Sequence, residues 1–140
     1  MEQSQNYKLL NIILIESTFK RAVTINPEVP EYGNRININI EKNIEENNIY
    51  INVILDYWCG IEDAWEVVAR INMLGFFESP ENPSLSIEDF CQINAPAIIF
   101  PFVREHLATV TMKAGINPIL LPAVNFVELA KNATATDGIR

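Results

Sequence analysis

The sequence predicts an α+β fold: a four-stranded antiparallel sheet with a long kinked helix and a short C-terminal helix. Three observations predict it. Apolar residues alternate with polar ones along several segments of the first half. Short polar turns separate the later of those segments, as between hairpin strands. The last third changes to helical stretches bounded by capping residues, glycine and proline.

Lys8 to Phe19, rich in Ile and Leu and ending in Glu16-Ser17-Thr18, reads as the first strand. Pro27 and Pro30, followed by Tyr32-Gly33-Asn34, mark a loop, because neither helix nor central strand tolerates them. Arg35 to Glu41 alternates strictly, with Ile36, Ile38 and Ile40 on one face and Asn37 and Asn39 on the other. After the polar turn Glu45 to Asn48, Ile49 to Trp58 forms a strand with apolar groups on both faces. Gly60 to Asp63 turns the chain into a fourth strand, Ala64 to Met73, on which Trp65 is the expected core aromatic. Consecutive strands joined this way are expected to pair as an antiparallel meander with one apolar and one mixed face.

Ser86 with Asp89 predicts a capped helical turn through Gln92. Asn94 is the expected cap of the main helix, with Pro96 in its first turn, and Gly115 suits a left-handed stop after Lys113. Pro101 lies inside that helix and is expected to bend it. Pro118 and Pro122 bracket an extended link, and Asn125 caps a last helix from Phe126 to about Asn132. The chain is expected to form one domain over 1–140, with 1–6 and 133–140 flexible.

Composition narrows the function. A net charge of −8, with basic residues scattered, disfavours nucleic acid, whose phosphates require clustered Lys and Arg. The longest apolar run, Ala95 to Val103, is too short to span a bilayer and is broken by prolines. Met1 to Tyr7 lacks a secretory pattern, so the cytoplasm is the expected compartment. Cys59 and Cys91 read as reduced packing thiols. His106 with Glu105, Cys91 and Asp89 lacks the pattern of a catalytic or metal set, so neither an enzyme nor a cofactor is expected.

Two motifs carry a resemblance. Asn94-Ala95-Pro96-Ala97-Ile98-Ile99-Phe100-Pro101-Phe102-Val103-Arg104-Glu105 resembles the long-helix signature of the SecB family, an apolar stretch leading into Phe-Pro-aromatic-x-Arg-Glu. Leu121-Pro122-Ala123-Val124-Asn125-Phe126 is similar to that family's Pro-Val-Asn-Phe element, which opens the final helix. The resemblance implies a chaperone subunit in a homotetramer, a dimer of dimers with long helices between sheets. Such proteins hold unfolded clients in apolar grooves, either secretory precursors passed to the motor SecA or an antitoxin. It also implies a motor-binding patch on the outer sheet face, to which Glu16 and Val68 are assigned. Lys20 and Arg70 stand where carboxylates would be expected, which reverses the local charge.

One sheet and two helices leave apolar residues over. The client surface is expected around Tyr32, Phe76, Phe77, Ile119, Leu120, Leu121, Phe126 and Leu129. The oligomer interface is expected at Ile98, Phe102, Arg104, Leu107, Ala108 and Thr111. The alternative is a β-rich assembly protein whose apolar surface is fully consumed by its own interfaces.

Overall fold

The structure, a computed structural model, describes residues 6–137, with side chains as far as residue 132. Four strands, β1 (Lys8–Arg21), β2 (Gly33–Glu45), β3 (Asn48–Ile61) and β4 (Ala64–Glu78), form one antiparallel sheet. Their order is β1-β4-β3-β2. Only β2, β3 and β4 therefore follow the expected meander. β1 lies beside β4, because the crossover of residues 22–32, stiffened by Pro27 and Pro30, is no hairpin loop and crosses the end of the sheet. Three strand spacings of about 4.8 Å, roughly 14 Å in all, are within reach of such a segment. The two hairpins close with two-residue turns at Glu46-Asn47 and Glu62-Asp63, where Glu46 and Asp63 take φ of 56° and 69°.

The strands outrun their alternating stretches, since backbone pairing continues through Lys42 to Glu45 and Leu74 to Glu78. A bulge breaks the β3–β4 ladder: Cys59 faces Val67 but Gly60 faces Trp65, leaving Glu66 as the extra residue. Gly60 has φ 138°, and a Cβ there would lie 2.7 Å from the Glu66 nitrogen. The bulge interrupts the alternation that made Trp65 an expected core residue. Trp65 is half-buried instead, with the Arg35 guanidinium 5.4 Å from its ring centre.

The core lies between one sheet face and the main helix. Ile49, Ile51, Val53, Leu55 and Tyr57 of β3 and Val67, Ala69, Ile71, Met73 and Phe77 of β4 are buried there. They meet Ile99, Phe100, Val103 and Leu107 of that helix. Gly75 sets the approach, because a Cβ there would come within 2.6 Å of Ile99 Cδ1.

A short helix, α1 (Ile87–Asp89), begins where Ser86 Oγ accepts from the Asp89 amide at 3.1 Å, as expected. Its continuation is not. Phe90–Asn94 is π-helical and Asn94 is itself helical, making no side-chain cap. Pro96 brings no N–H and crowds the carbonyl four residues back, and the widened turn ends on the Ala95 amide bonding to Phe90 O. The main helix, α2 (Ala95–Lys113), carries Pro101 inside it. It stops on Gly115, φ 77°, with Gly115 N–H on Met112 O and Ile116 N–H on Thr111 O. The last helix, α3 (Phe126–Asp137), starts with Asn125 Oδ1 accepting from Glu128 N–H at 3.2 Å. It continues past Asn132, where a frayed tail was expected, because alanines favour helix and no breaker comes before Gly138. The expected flexible residues 1–5 and 138–140 lie outside the described residues.

Candidate functional site

Two irregular segments meet at one end of the sheet, on the helix side. The crossover contributes Ile25, Pro27 and Tyr32, and the link after α2 contributes Ile116, Asn117 and Ile119. Between them is a cavity of about 370 Å³, floored by Cys59 and Val67. The link is pinned by Thr111, whose buried Oγ1 accepts from the Ile119 amide at 3.0 Å and lies 2.9 Å from Leu107 O. Most of the lining is aliphatic, which suits an apolar side chain and offers no set of groups for bond chemistry. Burial, then the Cys59 thiol and the Glu66 carboxylate, push the Tyr32 hydroxyl far above its ordinary value, so it stays a neutral donor. Burial and Cys59 likewise push Tyr57 up to about 12.

The structure separates the expected client residues into three groups. Tyr32 and Ile119 line the cavity, Leu120 next to them is 78% exposed, and Leu129 is half-buried. Phe77, Leu121 and Phe126 are core residues and offer no surface to an incoming chain. Phe77 continues the inward face of Ile71 and Met73, and Phe126 packs edge-on against Phe100 with ring centres 5.7 Å apart. Phe76 is on the opposite sheet face, edge-on to Tyr50 at 5.4 Å. The sequence reading missed Ile25, Pro27, Cys59 and Ile116. Ile25, Pro27 and Ile116 share a signal, proximity to proline in the two irregular segments, whereas Cys59 stands on β3, and pattern alone does not bring these parts together.

The expected interface residues divide as well. Ile98, Phe102 and Arg104 are exposed on α2 and Ala108 is half-buried. Leu107 and Thr111 are completely buried under the helix and cannot meet a second subunit, because their positions point at the sheet and the link. β1 adds apolar surface of its own, with Leu9, Leu10, Leu14 and Ile15 all exposed.

On the outer sheet face, Glu16 and Val68 are both exposed. Glu16 is not a free charge. Arg70 lies between it and Asp56, donating at 3.1 Å to Glu16 and at 2.9 and 3.0 Å to the two Asp56 oxygens. Those bonds, Asp56 first, hold the guanidinium more firmly protonated.

His106 Nε2 is 2.8 Å from Ser17 Oγ, bridging α2 to β1, and Cys91 is buried, with its thiol pushed up by burial. Among the described residues no group of three or more His, Cys, Asp or Glu could hold a metal ion. No helix among them is long and apolar enough to cross a membrane.

Comparison with known proteins accords with this architecture. The family model described as preprotein translocase subunit SecB matches residues 13–137. An uncharacterised protein of Methanocaldococcus jannaschii is 34% identical over 113 residues, covering 75% of this chain and 73% of that one. The protein-export protein SecB of Burkholderia pseudomallei is 24% identical over 142 residues, covering 96% and 89%. A SecB-like chaperone of Mycobacterium tuberculosis, solved in complex with a ChAD peptide from the HigA1 antitoxin, superimposes with a TM-score of 0.73 at 10% identity. That match covers 85% of this chain and 91% of the other, and it shows a shared fold. A four-stranded sheet backed by a proline-bearing helix, and a family match from within β1 to the end of α3, place this chain in the SecB family.

Proposed function

We propose that this chain is the subunit of a homotetrameric holding chaperone, a dimer of dimers, that binds extended segments of unfolded polypeptide. The observation that carries the reading is the apolar cavity between crossover and link, with exposed Leu120 beside it. Such a site takes apolar side chains of many sequences, which a holding chaperone requires. The Mycobacterium tuberculosis relative of the same fold, with a peptide bound, supports peptide as the class of occupant.

Assembly is supported by surface that the subunit leaves uncovered. β1 is an edge strand of 14 residues with exposed apolar side chains, and Ile98 and Phe102 sit one turn apart on the outer side of α2. Both surfaces invite a second copy. The Glu16–Arg70–Asp56 cluster supports work without tight docking to an export motor, since the carboxylates there are already neutralised. An antitoxin or another aggregation-prone protein therefore suits this chain better than a secretory precursor as client.

A hydrophobic-dye titration on the purified oligomer tests the reading. The chaperone predicts strong dye fluorescence that a permanently unfolded protein competes away. No dye binding by an intact oligomer supports the assembly protein instead.

A further inference from the structure

We infer that Arg21 and Glu66, neither of which lines the cavity, are positioning residues that fix the distance between its two walls and so set the size of apolar side chain it accepts. The inference rests on the client-holding reading and names what tunes that site.

Arg21 ends β1 and faces both walls at their roots. One guanidinium nitrogen donates to Ala114 O, at the end of α2 where the link begins, at 2.7 Å. The other two donate at 2.8 Å to Ala22 O and Val23 O, the first residues of the crossover. One rigid planar group thus fastens the start of the crossover wall to the start of the link wall. The bonds are charge-assisted and favourably placed at a helix C-terminus. Gly115, which lines the cavity, lies directly under this clasp, its Cβ position 3.8 Å from the guanidinium.

Glu66 holds the crossover at two further points. As the extra residue of the bulge, it stands where the ladder partners of β3 and β4 slip past each other. Its carbonyl accepts from Ala22 N–H at 2.7 Å. Its two carboxylate oxygens accept from Asn26 N–H at 3.1 and 3.2 Å. The same carboxylate neighbours the Tyr32 hydroxyl. Positions 22, 26 and 32 of the crossover are thereby referred to one side of one strand. With Arg21 tying that segment to the link, the cavity has a width that does not depend on an occupant.

A site of fixed width discriminates by size, whereas one with loose walls adapts to whatever enters. The test uses the full chain and a fluorescently labelled, reduced and carboxymethylated lactalbumin as the unfolded probe. Competitors are extended Gly/Ser-rich peptides with guest Ala, Leu or Phe. Leu and Phe guests should both bind more tightly than Ala through transfer of apolar area, and the parent should separate Leu from Phe by roughly tenfold, since a fixed width suits one of them better. Arg21→Ala and Glu66→Ala should reduce that preference to about threefold or less while the melting temperature stays within about 3 °C. Glu66→Gln, which still accepts from Asn26 N–H, should keep the parental preference, and Arg21→Lys should fall between. Hydrogen exchange gives an independent readout: the Asn26 amide should exchange faster in Glu66→Ala with β3 amides unchanged. If Asn26 exchanges faster yet size preference is parental, or if Asn26 is as protected as before, the inference is wrong and the client reading stands. If the parent does not bind the unfolded probe, both are wrong.

Discussion

Single buried polar groups join the fold to the site. The Thr111 hydroxyl is fully buried and satisfies the Ile119 amide, so it holds the link that forms one cavity wall. Thr111→Val preserves shape but strands that N–H, and should cost about 1–3 kcal/mol in denaturant unfolding. It should also weaken client binding, because Ile119 loses its anchor. A bulky charged group at Thr111 would unfold the subunit and would not report on assembly. Tyr57 gives a second residue-scale prediction. Burial raises it to about 12, so the folded state keeps its proton where the unfolded chain would release it near 10. Stability tied to it is fully present below pH 10 and is lost as pH rises toward 12. Urea midpoints at pH 8, 10 and 11 should fall with pH, and Tyr57→Phe should flatten part of that slope. Some slope remains, since burial also raises the Tyr32 and Tyr7 hydroxyls and the Cys91 thiol. An unchanged slope in Tyr57→Phe would show that its burial does not hold the proton.

Elements whose signals are local were legible in the sequence. The Ser86 and Asn125 caps, the Gly115 stop and the strands β2 to β4 each follow from a few adjacent residues. What depended on distant pairing was not. Nothing in Lys8–Arg21 says that it pairs with β4 and not β2, and nothing near Trp65 announces the bulge that turns it from the core. The alternation read from the sequence stops at Met73, short of Phe77. Continuing the alternation from Ile71 and Met73 would have put it inside and Phe76 outside. The candidate site suffered most, since its walls come from two loops that only the folded sheet brings together. At this scale α2 yields an assembly prediction. Phe102 is 48% exposed and lies outside the buried core, so Phe102→Asp should leave circular dichroism unchanged while light scattering shows the proposed tetramer falling to dimers. A parent that is a monodisperse monomer at micromolar concentration would count against the tetramer altogether.

The whole molecule presents two faces with different prospects. The outer sheet face has its carboxylates Glu16 and Asp56 tied to Arg70, with Lys20 nearby on β1. Affinity for SecA should therefore be weak at physiological salt. Lys20→Glu with Arg70→Glu should raise it about tenfold and make it salt-sensitive, as exposed charge contacts are. Tight binding by the parent would contradict that account of the face. The helix-side face carries the proposed client site, and suppression of aggregation is the measurement that bears on that proposal without intermediate steps. At fixed chaperone concentration the parent should hold an unfolding substrate in solution. The combined change Tyr32→Ser, Ile119→Ser and Leu120→Ser should abolish that protection, because each large apolar contact removed costs roughly 1–2 kcal/mol of binding. Circular dichroism and light scattering should match the parent. A triple variant that is folded, assembled and as protective as the parent would place client binding elsewhere and contradict the account.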